Sequence, residues 1–171
     1  MYQLQVPLNN QKSTTGMTLV EALIAGMLLV LGLVPVFFFT SQALTLTHNA
    51  RISFTAGQLA QEGLEVIRTI RDDNWIAGRV FDFGLTECAD GCRVQWDSTD
   101  ILALGSNIPL SLDSTSMIYQ YDSGSATPYI RTITIDTTLP SVLKVQSRVD
   151  WSDQSGDHSF VTETPLYDWL Q

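Results

Sequence analysis

The chain has 171 residues, a length that suits one compact domain and hardly two, and its 18 acidic and 9 basic residues leave a formal charge of −9. That balance argues against a nucleic-acid backbone or an anionic lipid surface as a general partner. At 44% hydrophobic and 16% charged the composition excludes a disordered or collagen-like chain, and its apolar residues are bunched near the N-terminal end.

Residues 1–16 are polar, with one basic residue, Lys12, and no acid. Residues 17–39 then form an apolar run of 23 with one charge, Glu21, and one hydroxyl, Thr18. As a helix this run rises about 34 Å, enough to cross a hydrocarbon core of about 30 Å. It lacks the polar face that recurs every third or fourth residue on a globular core helix, so it reads as a membrane segment. Lys12 puts the N-terminal side in the cytoplasm by positive-inside reasoning and the acidic remainder outside it. A cleaved secretory signal is the competing reading. It needs an A-x-A-like site after the run, and the sequence there is Thr-Ser-Gln-Ala-Leu.

A carboxylate inside the span costs about 2.5–3.5 kcal/mol for a comparable charge at mid-span, less near the interface. Glu21 reads either as a snorkelling acid welcomed by the helix dipole or as a group waiting for a cation from elsewhere, since residues 17–39 contain no Lys or Arg. The stretch Gly16-Met17-Thr18-Leu19-Val20-Glu21 resembles the prepilin signature of type IV pilins and type II secretion pseudopilins. Met17 stands where Phe is commonest in that family, which also uses Met. The resemblance implies cleavage by a prepilin peptidase between Gly16 and Met17, methylation of the new Met17 amine, and a pairing of Glu21 with the positive N-terminus of a neighbouring subunit. Neither charge is comfortable alone in lipid, so such a pairing supplies register as well as energy. Gly26, Gly32 and Pro35 interrupt the run, and Pro35 predicts a kink near residues 34–35 because it removes one backbone hydrogen bond. Local unwinding around Gly32 and Pro35 in an assembled filament is what the resemblance implies.

Helical spacing continues in more polar form. Ile52, Ala56, Leu59, Ala60, Gly63, Val66, Ile67 and Ile70 make one apolar stripe, with Glu62, Glu65, Arg68 and Arg71 mostly off it. One helix is expected over residues 17–71, with Glu65 and Arg68 paired at i to i+3. Asp72, Asp73 and Asn74 read as its terminus and a turn. Residues 59–75 are similar to the helix end of minor pilins.

The remainder reads as strands at residues 79–83, 93–96, 117–121, 129–135, 143–151 and 158–164. In 129–135 the odd positions read as the apolar face and the even ones as mixed; in 143–151 Lys144, Gln146, Arg148 and Asp150 alternate with Leu143, Val145, Ser147, Val149 and Trp151. A turn cluster at 152–157 joins the last two strands into a hairpin. The fold class is therefore α+β: a long N-terminal helix, membrane-spanning in its first half, packed on a C-terminal antiparallel sheet. Four segments follow: a leader at 1–16, a span at 17–39, an amphipathic continuation at 40–75, and a β-rich extracytoplasmic domain at 76–171. The final hairpin and Leu166-Tyr167-Asp168-Trp169 look like the C-terminal part of minor pilins and pseudopilins. Residues 80–127 resemble nothing.

Cys88 and Cys92 have three residues between them, which is neither a redox CxxC nor a zinc set. Outside the cytoplasm they are expected as a disulfide pinning a loop, with two free thiols as the alternative. Asp150, Asp153 and Asp157 could converge on a cation, yet the order of an EF-hand loop is missing and a solvated turn is preferred. No nucleophile elbow, zincin, P-loop or dinucleotide fingerprint is present, so no enzyme, cofactor or metal is expected. The expected function is a minor pilin of a type IV pilus-like filament. Its partners are the peptidase and methyltransferase, other pilin subunits and their assembly machinery, and membrane lipid before assembly; direct nucleic-acid binding is not expected. A type II secretion or competence pseudopilin shares the same N-terminal chemistry. An uncleaved single-span membrane protein with an extracytoplasmic binding domain is the alternative of another class.

Overall fold

A computed structural model describes residues 16–104, 108–153 and 156–169. The polar leader, including Lys12, lies outside the described residues up to position 15. Among these described residues one helix, α1 (Leu19–Ile76), is followed by a 3-10 turn (Thr86–Cys88) and eight strands. These are β1 (Cys92–Arg93), β2 (Leu102–Ala103), β3 (Ser111–Leu112), β4 (Tyr119–Gln120), β5 (Ser125–Ala126), β6 (Ile130–Asp136), β7 (Val142–Asp153) and β8 (Gly156–Tyr167). The chain divides into two units, Met1–Thr47 and His48–Gln171, and α1 contributes to both.

In the first unit every described residue is exposed, the apolar ones included. α1 is unbroken helix through Gly26, Gly32 and Pro35, although Pro35 has no N–H to give the ladder. It is the one described helix long and apolar enough to cross a membrane.

The second unit is an α+β sandwich of helix on sheet. Five antiparallel strands run in the order β2-β1-β6-β7-β8, and β4-β3-β5 form a separate three-stranded sheet. β7 alternates buried and open residues along its length, with Leu143, Val145, Ser147, Val149 and Trp151 inward. Against them α1 lays the expected stripe: Ala56, Leu59, Ala60, Gly63, Val66, Ile67 and Ile70 are all buried. Each fully buried side chain such as Ile67 contributes roughly 1.5–3 kcal/mol relative to exposure. Gly63 sets the closest approach, because a Cβ there would meet Ile133 Cδ1 and Ser147 Oγ at 2.8 Å and Arg131 Cδ at 3.1 Å.

Arg131 is the exception on that inner face. It occupies an odd position of β6, the parity read as apolar, and it is fully buried. Its Nη1 donates to Leu59 O at 2.9 Å and to Glu62 Oε1 at 3.0 Å, and its Nη2 donates to Val94 O beside β1. One guanidinium thus joins the helix to two segments of the sheet layer. Glu62, which pairs with nothing on its own helix, is the other half of that joint. Gln95 plays a similar part for the smaller sheet: its Oε1 accepts from Tyr121 N–H at 3.0 Å and its Nε2 donates to Asp122 at 2.7 Å. Burial raises the Tyr121 phenol above its usual value, with the Arg131 charge opposing that rise.

Several expected boundaries shift, each for a local reason. α1 continues past Arg71 and through the Asp72-Asp73-Asn74 cluster to Ile76. It closes in a Schellman motif: Gly78 has φ 68°, Gly78 N–H donates to Trp75 O and Arg79 N–H to Asn74 O. Arg71 is not off the stripe but buried, its guanidinium 4.4 Å from the Trp75 ring centroid and paired with Asp72 at 2.7 Å. Residues 79–83 form no strand: 81–83 are turn, with Asn74 Nδ2 drawing in the Phe81 and Phe83 carbonyls and Gly84 at φ 76°. The strand expected at 93–96 shrinks because Gln95 and Ser98 bond each other in a turn. The one expected at 117–121 shrinks because Met117 sits at φ 58° behind the Asp113 turn. At the last hairpin the strands run further than expected, so Ser152, Asp153, Gly156 and Asp157 of the expected turn cluster are paired strand, and positions 154–155 lie outside the described residues.

Cys88 and Cys92 form a disulfide with a Cα–Cα distance of 5.1 Å, and both are buried beside Ile133 in the main core. It ties the 3-10 turn to β1 and closes a small loop. Chain-entropy reasoning for a loop of this size gives about 2 kcal/mol. A Cys88→Ala, Cys92→Ala double variant should therefore lose about 2 kcal/mol in denaturant titration, and adding reductant should lower the wild type but leave the variant unchanged.

Candidate functional site

The first turn of α1 carries the chemistry that the sequence singles out. Thr18 is its N-cap: Thr18 O accepts the first intrahelical bond from Ala22 N–H at 3.1 Å, and Thr18 Oγ1 accepts from Glu21 N–H at 3.2 Å. Leu19 and Val20 follow as the first two helical positions, so Glu21 is the third. Thr-x-x-Glu is the pattern of a capping box, and a carboxylate in the first turn is favoured by the positive end of the helix dipole. Gly16 and Met17 precede the cap in non-helical backbone and are exposed.

The Glu21 carboxylate is exposed and has no ion-pair or side-chain partner among the described residues. Its neighbours along the helix, Leu19 and Val20, are apolar and 77% and 63% exposed. This is an unmatched negative charge in the first turn of an apolar helix, three residues after the N-cap. Sequence reasoning named Gly16, Met17 and Glu21 but gave Thr18 no role; the Thr-x-x-Glu spacing is the signal that would have found its cap. Thr18→Ala should cost about 0.5–2 kcal/mol of local helix stability. Hydrogen exchange at the Leu19–Ala22 amides in detergent should rise accordingly, while the globular unit's exchange stays unchanged.

The other sequence candidates are placed apart from this turn. Gly32 and Pro35 lie within α1, and Cys88 and Cys92 lie in the second unit's core. The three hairpin aspartates are committed to separate partners: Asp150 accepts from Arg148 Nε at 2.8 Å, Asp153 lies 3.1 Å from His158 Nε2, and Asp157 accepts from Ser152 Oγ at 2.6 Å. Among the described residues no group of three His, Cys, Asp or Glu side chains is placed to hold a metal ion. The buried Glu62–Arg131 joint escaped sequence reasoning, since a single Arg in a β-rich segment has no spacing signature.

The chain matches no protein-family model, and no curated protein or solved structure shows significant similarity to it.

Proposed function

We propose that the chain is a prepilin-type subunit, a minor pilin of a type IV pilus-like filament, cut between Gly16 and Met17 and assembled through α1. The observation that carries this reading is the unmatched Glu21 carboxylate in the capped first turn of an otherwise apolar helix, directly after the Gly16-Met17 junction. Cleavage there places a new amine one residue before the cap. A cation at that end opposes the helix dipole, so the amine is poorly accommodated by its own helix. N-methylation leaves its charge in place. In a bundle of such helices with an axial stagger, Glu21 of one subunit meets the amine of the next, and each charge removes the other's desolvation cost. The apolar faces of residues 17–39, exposed along their whole length in the single chain, are then covered by neighbouring helices. Before assembly the same helix anchors the subunit in the cytoplasmic membrane with the β-rich unit outside.

Coexpression with a prepilin peptidase, followed by intact mass and N-terminal peptide mapping, tests the reading. The expected product begins at methylated Met17 and keeps 155 of the 171 residues. A chain that still begins at Met1, beside a control substrate that the same peptidase cuts, overturns it in favour of an uncleaved single-span membrane protein.

A further inference from the structure

The end of α1 and the end of β8 meet at a cleft that the filament reading does not use. It has a volume of about 390 Å³, within the range of about 300–1,000 Å³ usual for small-molecule sites, and it is open to solvent. Trp75, Gly78, Arg79, Asp82 and Asp168 are among its lining residues. Its backbone is fixed from several sides. The Schellman closure holds Gly78 and Arg79, Asn74 Nδ2 bonds Phe83 O at 2.9 Å, and Asp168 N–H donates to Ser141 O at 2.9 Å. The Trp75 indole is fixed as well, by the Arg71 guanidinium and by an edge-on contact with Trp169 at 4.9 Å. Trp169 itself is 68% exposed.

The polar groups of this cleft are not consumed by one another. Asp82 and Asp168 are half-buried, and their carboxylates take part in no hydrogen bond or ion pair among the described residues. Arg79 stands 5.0 Å from the Phe83 ring centroid and forms no ion pair among the described residues. The cleft therefore offers two groups that only accept hydrogen bonds, one planar group that only donates, and an aromatic side chain. An anion meets two carboxylates there, and a cation meets the guanidinium. An apolar ligand would strip water from three charges without replacing it. A neutral ring bearing vicinal hydroxyls satisfies all of them: its O–H groups donate to Asp82 and Asp168, its oxygens accept from Arg79, and its C–H groups pack against the part of Trp75 that lines the cleft. We propose that this cleft binds the ring of a neutral saccharide. The inference stands on the second unit alone and is independent of processing at Gly16.

The test is retention of the full chain on an array of immobilised neutral glycans, in a zwitterionic detergent whose headgroup contains no sugar. Retention on at least one glycan is expected, with apparent affinity falling at least tenfold in an Asp82→Asn, Asp168→Asn double variant. Both changes are isosteric and touch carboxylates without partners, so folding is preserved. Asp150→Asn, in the separate cleft near the last hairpin, should bind as the wild type does. Retention on no glycan overturns the proposal, and so does retention that the double variant leaves unchanged.

Discussion

Glu62→Ala is expected to destabilise the globular unit by about 3–5 kcal/mol, more than Arg131→Met does, even though Glu62 is the more exposed partner. The reason is which charge each variant strands. Arg131 is fully buried, and without Glu62 its positive charge faces the Leu59 and Val94 carbonyls and the Tyr121 phenol with no carboxylate partner among the described residues, while its Nε has no acceptor there. Glu62 keeps a third of its side chain in solvent, so it can turn to water when Arg131 is lost. Methionine also refills part of the guanidinium stem's volume against Gly63 and Ile133. Arg131→Met should accordingly cost about 2 kcal/mol, and the Glu62→Ala, Arg131→Met double variant should cost little more than Arg131→Met alone, a large coupling on a double-mutant cycle. Denaturant titration of the full chain in detergent, followed by tryptophan fluorescence, reads all three. A loss below about 1 kcal/mol for Glu62→Ala would place the pair with ordinary solvated surface bridges and remove its role as the joint between helix and sheet.

That joint also marks the limit of what periodicity discloses. The stripe on α1 and the alternation along β7 were readable because each repeats many times, and both bury the residues they were expected to bury, except that Ile52 at the start of the stripe is only partly covered. Arg131 breaks the alternation once, at a position whose parity is apolar, and only the partner contributed by Glu62, 69 residues earlier, makes its burial tolerable. Nothing local announces such a pair. The stretch between the disulfide and β6 was opaque for a related reason. Its strands are two residues long and are held by side-chain bonds such as those of Gln95, not by a run of alternating residues. At 79–83 the β-rich composition misled, because a glycine on either side and the Asn74 side chain dictate turns. The first turn of α1 is the opposite case. Its residues are contiguous, so Gly16, Met17 and Glu21 stood out together in the sequence, and the structure adds Thr18 as the cap that orders them.

Glu21→Ala is expected to leave membrane insertion intact and to lower incorporation into filaments at least tenfold. Removing a carboxylate from an apolar helix can only ease insertion, since a comparable charge costs about 2.5–3.5 kcal/mol at mid-span. Assembly is different, because the neighbour's amine then enters the bundle with no counter-charge. Breaking a buried pair costs about 3–5 kcal/mol when one charge is left behind, and a tenfold loss needs only about 1.4 kcal/mol, which leaves room for partial solvation near the interface. Glu21→Gln separates charge from shape: it keeps the side chain's size and an accepting oxygen in the first turn, and it should fail as Ala does. Thr18→Ala weakens the cap but retains the carboxylate, so it should reduce incorporation less than either Glu21 variant. Immunoblots of sheared filaments against the membrane fraction give the ratio for each. Normal incorporation of Glu21→Ala in cells that cleave the leader would separate processing from pairing, and would leave the apolar face of α1 as the sole driver of assembly.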